Sequence, residues 1–172
     1  LVGSEMCIRD RPRVKADGAR LVKLEMTGGA MQPLLSAIFK GKEVDGRTLA
    51  LEHGQAWALN GIAGTTAEPL FVAARNEHII IRMRNDTRWP HAMHLHGFHF
   101  VELSRKPLPQ PDFSLTSGEV SAAAPLRDTV FMDAGEEVEI GFVADNPGHW
   151  LLHCHMTEHM AGGMVTWFEV KP

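Results

Sequence analysis

Eight of the ten histidines in this 172-residue chain fall in two windows, 91–99 and 149–159, and one of its two cysteines, Cys154, lies inside the second. Imidazole and thiolate are the side chains that hold soft and borderline metal ions, so the clustering points to a metal centre. The windows read WPHAMHLHGFHF over 89–100 and HWLLHCHMTEHMAGGM over 149–164. In an extended strand, side chains two apart share a face. His94 and His96 therefore point one way, while His91 and His99 have the opposite parity. His153 and His155 share one face of the second strand; Cys154 faces the other way with Trp150 and Leu152. Two sites lying back to back are expected, with the sulfur in a dry, apolar setting. Buried imidazoles without ligands would be costly. Each uncompensated buried polar group costs about 1–3 kcal/mol, and five or six would erase most of a domain's roughly 5–15 kcal/mol.

A thiolate, two imidazoles and a weak thioether form the ligand set of a blue-copper electron-transfer site. Cys154, His159 and Met164 have the spacing of such a ligand loop, and His91 supplies the remaining imidazole. Structural zinc sites usually show paired short Cys/His spacings, which one Cys flanked on both sides by His does not match. A cupin site would use His94, His96 and Glu102, but the interval to Glu102 is too long and Cys154 would have no part in it.

The elements that must carry these residues read as strands. A chain with 44% hydrophobic and 22% charged residues is ordinary globular material for one domain. A net charge of −4 without a basic block argues against nucleic acid or an acidic membrane as partner. No apolar run approaches the roughly 20 residues of a membrane span. Short β-rich runs separated by turns predict strands at 47–52, 55–60, 77–84, 93–104, 128–133, 136–143, 148–155 and 164–170, the pattern of an antiparallel sandwich. Asp45-Gly46 and Asn60-Gly61 are natural turns. Residues 104–126, rich in Pro, Ser and Ala, read as a long surface excursion. Residues 12–45 read as a connecting segment with one strand or short helix. The opening LVGSEMCIRDR, residues 1–11, resembles translated adaptor sequence and is otherwise a disordered tail, which leaves Cys7 irrelevant and Cys154 without a disulfide partner.

The two motifs together, HxxHxH at 91–96 and HCHxxxH at 153–159 followed by Met164, resemble the last domain of the multicopper oxidases, over about residues 46–172. The resemblance implies an all-β, cupredoxin-like (plastocyanin-like) Greek-key β-sandwich and a copper cofactor. It implies that His91, Cys154 and His159 bind a type 1 copper with Met164 as axial ligand. His94 then corresponds to a type 2 copper ligand, and His96, His153 and His155 to ligands of the type 3 pair. Cys154, with His153 and His155, would conduct single electrons to that trinuclear cluster, where dioxygen becomes water. No second His-x-His pair exists upstream, so the cluster needs a missing N-terminal cupredoxin domain or a neighbouring subunit.

The resemblance also frames the substrate. The donor would be a small reductant, phenol or cuprous ion. A laccase-like oxidation of phenols ranks first, because 104–126 carries no Met of the kind found in copper-efflux members. Met93, Met156 and Met160 read as core packing ahead of a cuprous path. Some relatives have a carboxylate directly after the second type 1 histidine, where this chain has Met160; nearby Glu158 reads equally as a solvated loop charge. Arg127 and Asp128 read as a strand-end charge pair. An electron-transfer cupredoxin with the type 1 site alone is the alternative, and it leaves four histidines unexplained. A copper nitrite reductase is disfavoured by His155. Free-thiolate copper chemistry suits an exported compartment such as the periplasm.

Overall fold

Alternation of apolar and charged residues builds the first sheet. In β1 (Arg20–Gly28), Val22, Leu24 and Met26 are buried while Lys23 and Glu25 are exposed. In β6 (His78–Asn85), every second residue, Ile79, Ile81, Met83 and Asn85, is buried. The computed structural model describes residues 13–108, 118–119 and 125–172. The tail 1–11 with Cys7, and most of the expected excursion 104–126, lie outside the described residues.

The remaining elements, in chain order, are β2 (Ser36–Phe39), β3 (Lys42–Asp45), α1 (Gly46–His53), β4 (Trp57–Leu59) and β5 (Val72–Ala73), which precede β6. After it come β7 (His91–Leu95), β8 (Val101–Pro107), β9 (Gly118–Glu119), β10 (Thr129–Met132), β11 (Glu136–Val143), β12 (Gly148–Cys154), α2 (Thr157–Ala161) and β13 (Val165–Val170). They form a six-stranded sheet in the order β4-β1-β6-β11-β8-β9, a five-stranded sheet in the order β10-β7-β12-β13-β5, and the small hairpin β2-β3. Pairing is antiparallel except for β1 with β6 and β13 with β5. The two large sheets enclose one core, in which Leu24, Ile81, Ile140 and Phe142 oppose Met93, Leu95, Leu152 and Phe168. Each such apolar side chain contributes about 1.5–3 kcal/mol on burial. The result is the expected all-β sandwich.

Four expectations are revised by this architecture. The run 47–52 is helical, not extended: Asp45 accepts from the backbone N–H of Thr48 at 3.0 Å, and Gly54 closes the helix in the left-handed region at φ 64°. Those are the two standard ends of a helix, and they decide against a strand. The run 93–104 is two strands, because Gly97 turns the chain at φ 77° with the indole of Trp150 lying where a Cβ would project. Residues 104–107, expected to open the surface excursion, belong to β8. The segment 12–45 holds three strands, and β1 lies between β4 and β6 rather than serving as a connection.

Candidate metal centre

The centre is assembled where β7, β12 and the turn into α2 meet. β12 pairs with β7 so that Cys154 stands opposite Met93 and His153 opposite His94. β7 alternates with His91, Met93 and Leu95 buried and His94 on the other face. The parity read from the sequence therefore holds for His91, His94, His153 and Cys154. His96 lies just past the end of β7, and its backbone N–H donates to Leu151 at 2.9 Å, which keeps it beside β12.

On the core side, His91 Nδ1 and His159 Nδ1 are 3.1 Å apart, and Cys154 Sγ lies 3.9 Å from the first and 3.8 Å from the second. Among the described residues these three form a group of donors whose ligand atoms all lie within 4.8 Å. Donors bound at about 2.0–2.3 Å to one ion stand about 3–4 Å from each other, so the triangle has the size of a metal site. The thiolate-and-imidazole donor set suits copper. Met164 is fully buried, and the backbone brings it close: its N–H donates to the His159 carbonyl at 3.0 Å, and its carbonyl accepts from Cys154 N–H at 3.1 Å.

The setting is dry. Cys154 and His91 have no solvent exposure. Burial, reinforced by the nearby His159, pushes the His91 imidazole down to about 3. The same desolvation lowers His159, against a small opposing pull from Glu158, and raises the Cys154 thiol. Trp57 closes the site, its ring 4.9 Å from His91 and 4.6 Å from His159. The half-exposed Trp89 stands with its ring 6.5 Å from His159 on the approach from solvent.

On the opposite face, His96 Nε2 lies 2.9 Å from His153 Nε2, and the His94 ring is 4.9, 5.6 and 5.2 Å from the rings of His96, His153 and His155. Two of these imidazoles are oriented by backbone carbonyls: His94 Nδ1 meets the Asp128 carbonyl at 3.0 Å, and His153 Nδ1 meets the Cys154 carbonyl at 2.9 Å. A carbonyl only accepts, so both Nδ1 atoms carry the proton and both Nε2 atoms are free to bind a metal. Burial, with the neighbouring His153, His94 and His155, lowers His96. His99 joins neither group, and its Nδ1 is buried without a hydrogen-bond partner among the described residues.

Several contributors escaped the sequence reading. Trp57 and Trp89 lie close in sequence to His53 and His91, but an indole is not a metal ligand and its type does not mark it as part of the site. Asp128 is not half of an ion pair with Arg127; its carbonyl orients His94, and its carboxylate is 4.0 Å from the same Nδ1. Glu158 is exposed on α2 and accepts from the Thr157 hydroxyl, in keeping with a solvated charge.

A sandwich with a buried cysteine sulfur and two imidazoles at one end, and imidazoles on the outer face of the same strand pair, is a cupredoxin-like domain. The family model described as multicopper oxidase matches residues 39–172, and the chain belongs to that family. It is 31% identical over 156 residues to a laccase of Cryphonectria parasitica, covering 80% of this chain and 26% of that protein. It is 37% identical over 95 residues to Laccase-1 of Melanocarpus albomyces, covering 48% of this chain and 15% of that protein. A multicopper oxidase from Campylobacter jejuni, described as a metallo-oxidase, shares the fold with TM-score 0.69 at 21% identity, covering 92% of this chain and 31% of that one. The enzyme from Aquifex aeolicus gives TM-score 0.64 at 22% identity, covering 95% and 32%. The chain thus spans about a sixth to a quarter of the length of those two laccases.

Proposed function

We propose that this chain is the domain of a copper-dependent oxidase that receives single electrons at a type 1 site formed by His91, Cys154, His159 and Met164 and passes them to a trinuclear cluster. His94 would serve the type 2 copper of that cluster, and His96, His153 and His155 the type 3 pair. The observation that supports this best is the back-to-back placement of the two groups on β12, with Cys154 and His153 adjacent in the chain and facing opposite sides. Bound copper supplies one-electron redox chemistry in the first group and dioxygen reduction to water in the second.

The protein's own residues prepare both functions. Burial of Cys154 and His91 excludes water from the sulfur, and Trp57 packs across the two imidazoles of that site. The carbonyls of Asp128 and Cys154 hold His94 and His153 in the tautomer that leaves Nε2 bare. The outer imidazoles need partners from a further cupredoxin domain or a neighbouring subunit, so the chain alone does not complete the cluster. The donor is a small reductant that reaches His159 past Trp89, a phenol ahead of cuprous ion. The compartment is an exported one such as the periplasm.

Copper loading of the purified chain tests the reading. An intense blue thiolate-to-copper charge-transfer band, without steady oxygen uptake, is expected. His153→Ala with His155→Ala should leave the band in place and, introduced into the complete protein, abolish turnover. A colourless copper complex would overturn the type 1 assignment. Undiminished activity of the doubly substituted complete protein would favour a simple electron-transfer module.

A further inference from the structure

We infer that Thr87 and Asn85 form a buried polar relay that fixes the tautomer of His91 and so aims its Nδ1 at the metal position. The functional meaning of this relay rests on the type 1 reading above. All three residues are essentially inaccessible: Asn85 and His91 are 0% exposed and Thr87 is 2% exposed. The hydrogen-bond distances favour one assignment of protons. The carbonyls of Trp89 and Asp133 each accept from Asn85 Nδ2 at 2.8 Å, so the amide nitrogen must face them and Oδ1 must face the other way. Oδ1 then accepts from the Thr87 hydroxyl at 2.7 Å. Three acceptors lie within reach of that hydroxyl, Asn85 Oδ1 at 2.7 Å, His91 Nε2 at 2.9 Å and the Trp89 carbonyl at 3.1 Å, and its one proton goes to the shortest of these contacts, the amide oxygen.

With its proton on Asn85 Oδ1, Thr87 Oγ1 offers a lone pair to His91 Nε2, 2.9 Å away, and Nε2 is then the protonated nitrogen. His91 Nδ1 is left bare. It points toward His159 Nδ1 at 3.1 Å and Cys154 Sγ at 3.9 Å. Without this chain of bonds the buried imidazole could equally protonate Nδ1, which would put a hydrogen where an ion must sit. Thr87 and Asn85 are thus positioning residues, four and six places before the ligand they orient, Asn85 at the end of β6 and Thr87 on the loop that leads into β7.

The test begins with the metal-free chain carrying ¹⁵N-labelled histidine, read by long-range ¹H–¹⁵N correlation. His91 is expected as the Nε2–H tautomer, and an Nδ1–H form would overturn the relay whatever the chain binds. Thr87→Val keeps the shape but removes the acceptor. It should lower copper(II) affinity 10–100-fold and shift the blue band, as loss of a partner behind a metal ligand does, while Thr87→Ser restores both. A valine variant with unchanged affinity and spectrum overturns the proposal. If the valine variant does not fold, the tautomer of the unsubstituted chain decides alone. A native chain with the Nε2–H form that takes up no copper would uphold the relay and defeat the type 1 reading instead.

Discussion

The imidazole of His153 donates from Nδ1 to the carbonyl oxygen of Cys154, its neighbour in the chain, at 2.9 Å. The residue whose sulfur faces the core thus orients, through its own backbone, a histidine of the outer group. His153 Nε2 is turned toward His96 Nε2 as a consequence. A displacement of Cys154 on one side of the sheet is transmitted by a short, directional contact to the other.

Replacing the sulfur separates its chemistry from its packing. Cys154→Ser should abolish the blue band entirely, because a hydroxyl remains protonated where a thiol ionises on metal binding. The hydroxyl enters an apolar, fully buried position, so the metal-free variant should be less stable by about 1–3 kcal/mol in urea unfolding. A retained blue band would exclude Cys154 as a ligand.

Acid should destabilise the metal-free chain through its buried imidazoles. His91 has a folded value of about 3 against an ordinary 6.5, so its contribution is complete above pH 6.5. Between 6.5 and about 3 the unfolded chain takes up a proton that the folded one refuses, and stability falls by about 1.4 kcal/mol per pH unit for this group. The lowered values of His159 and His96 act in the same direction. Urea midpoints measured from pH 7.5 to 4 should fall steadily below 6.5; a flat profile to pH 4.5 would contradict the burial of His91.

Copper uptake near pH 7.5 should release about one proton per ion from this site. Burial holds the Cys154 thiol protonated at that pH, and His91 is already neutral. Calorimetric titrations in buffers of different ionisation enthalpy would count it. Release that persists in Cys154→Ser would assign the proton elsewhere.

Gly97 holds the turn that brings His96 to β12. A Cβ there would overlap the indole of Trp150, and the backbone is at φ 77°. Trp150 cannot easily give way, since its Nε1–H donates to the Asn146 carbonyl at 2.9 Å while the Asn146 amide donates to the Gly97 carbonyl. Gly97→Ala should cost about 2–4 kcal/mol from overlap and left-handed strain together. Thermal unfolding would give that loss, and displaced His96 resonances with an unperturbed His91 would localise it.

The outward and inward faces of β7 and β12 were legible from sequence, because period-two alternation fixes the side a residue takes once a strand is granted. So was the grouping of His91, Cys154 and His159, since chemistry and spacing select the same residues. Trp57 and Thr87 were not: Trp57 is recruited through the fold from β4, and Thr87, though only four residues before His91, is of a type and spacing that no metal motif singles out. The helix α1 is not legible in the same way although its ends are written in Asp45 and Gly54, because with Leu49 as its one buried residue it lacks a strong apolar stripe. In β1 the alternation Val22, Leu24, Met26 is present, but the Gly28-Gly29 pair and the flanking lysine charge are also what a connecting segment carries.

The place of β1 governs where this polypeptide can be cut. It is hydrogen-bonded along residues 20–26 to residues 79–85 of β6, with β4 on its far side. A version beginning at residue 46 would strip that flank and leave the amides and carbonyls of an isoleucine-rich strand open to a second molecule. Such a truncation should precipitate or self-associate, whereas one beginning near residue 13 should stay monodisperse. The histidines and the cysteine can therefore be studied in isolation only if a strand that contributes no ligand is kept.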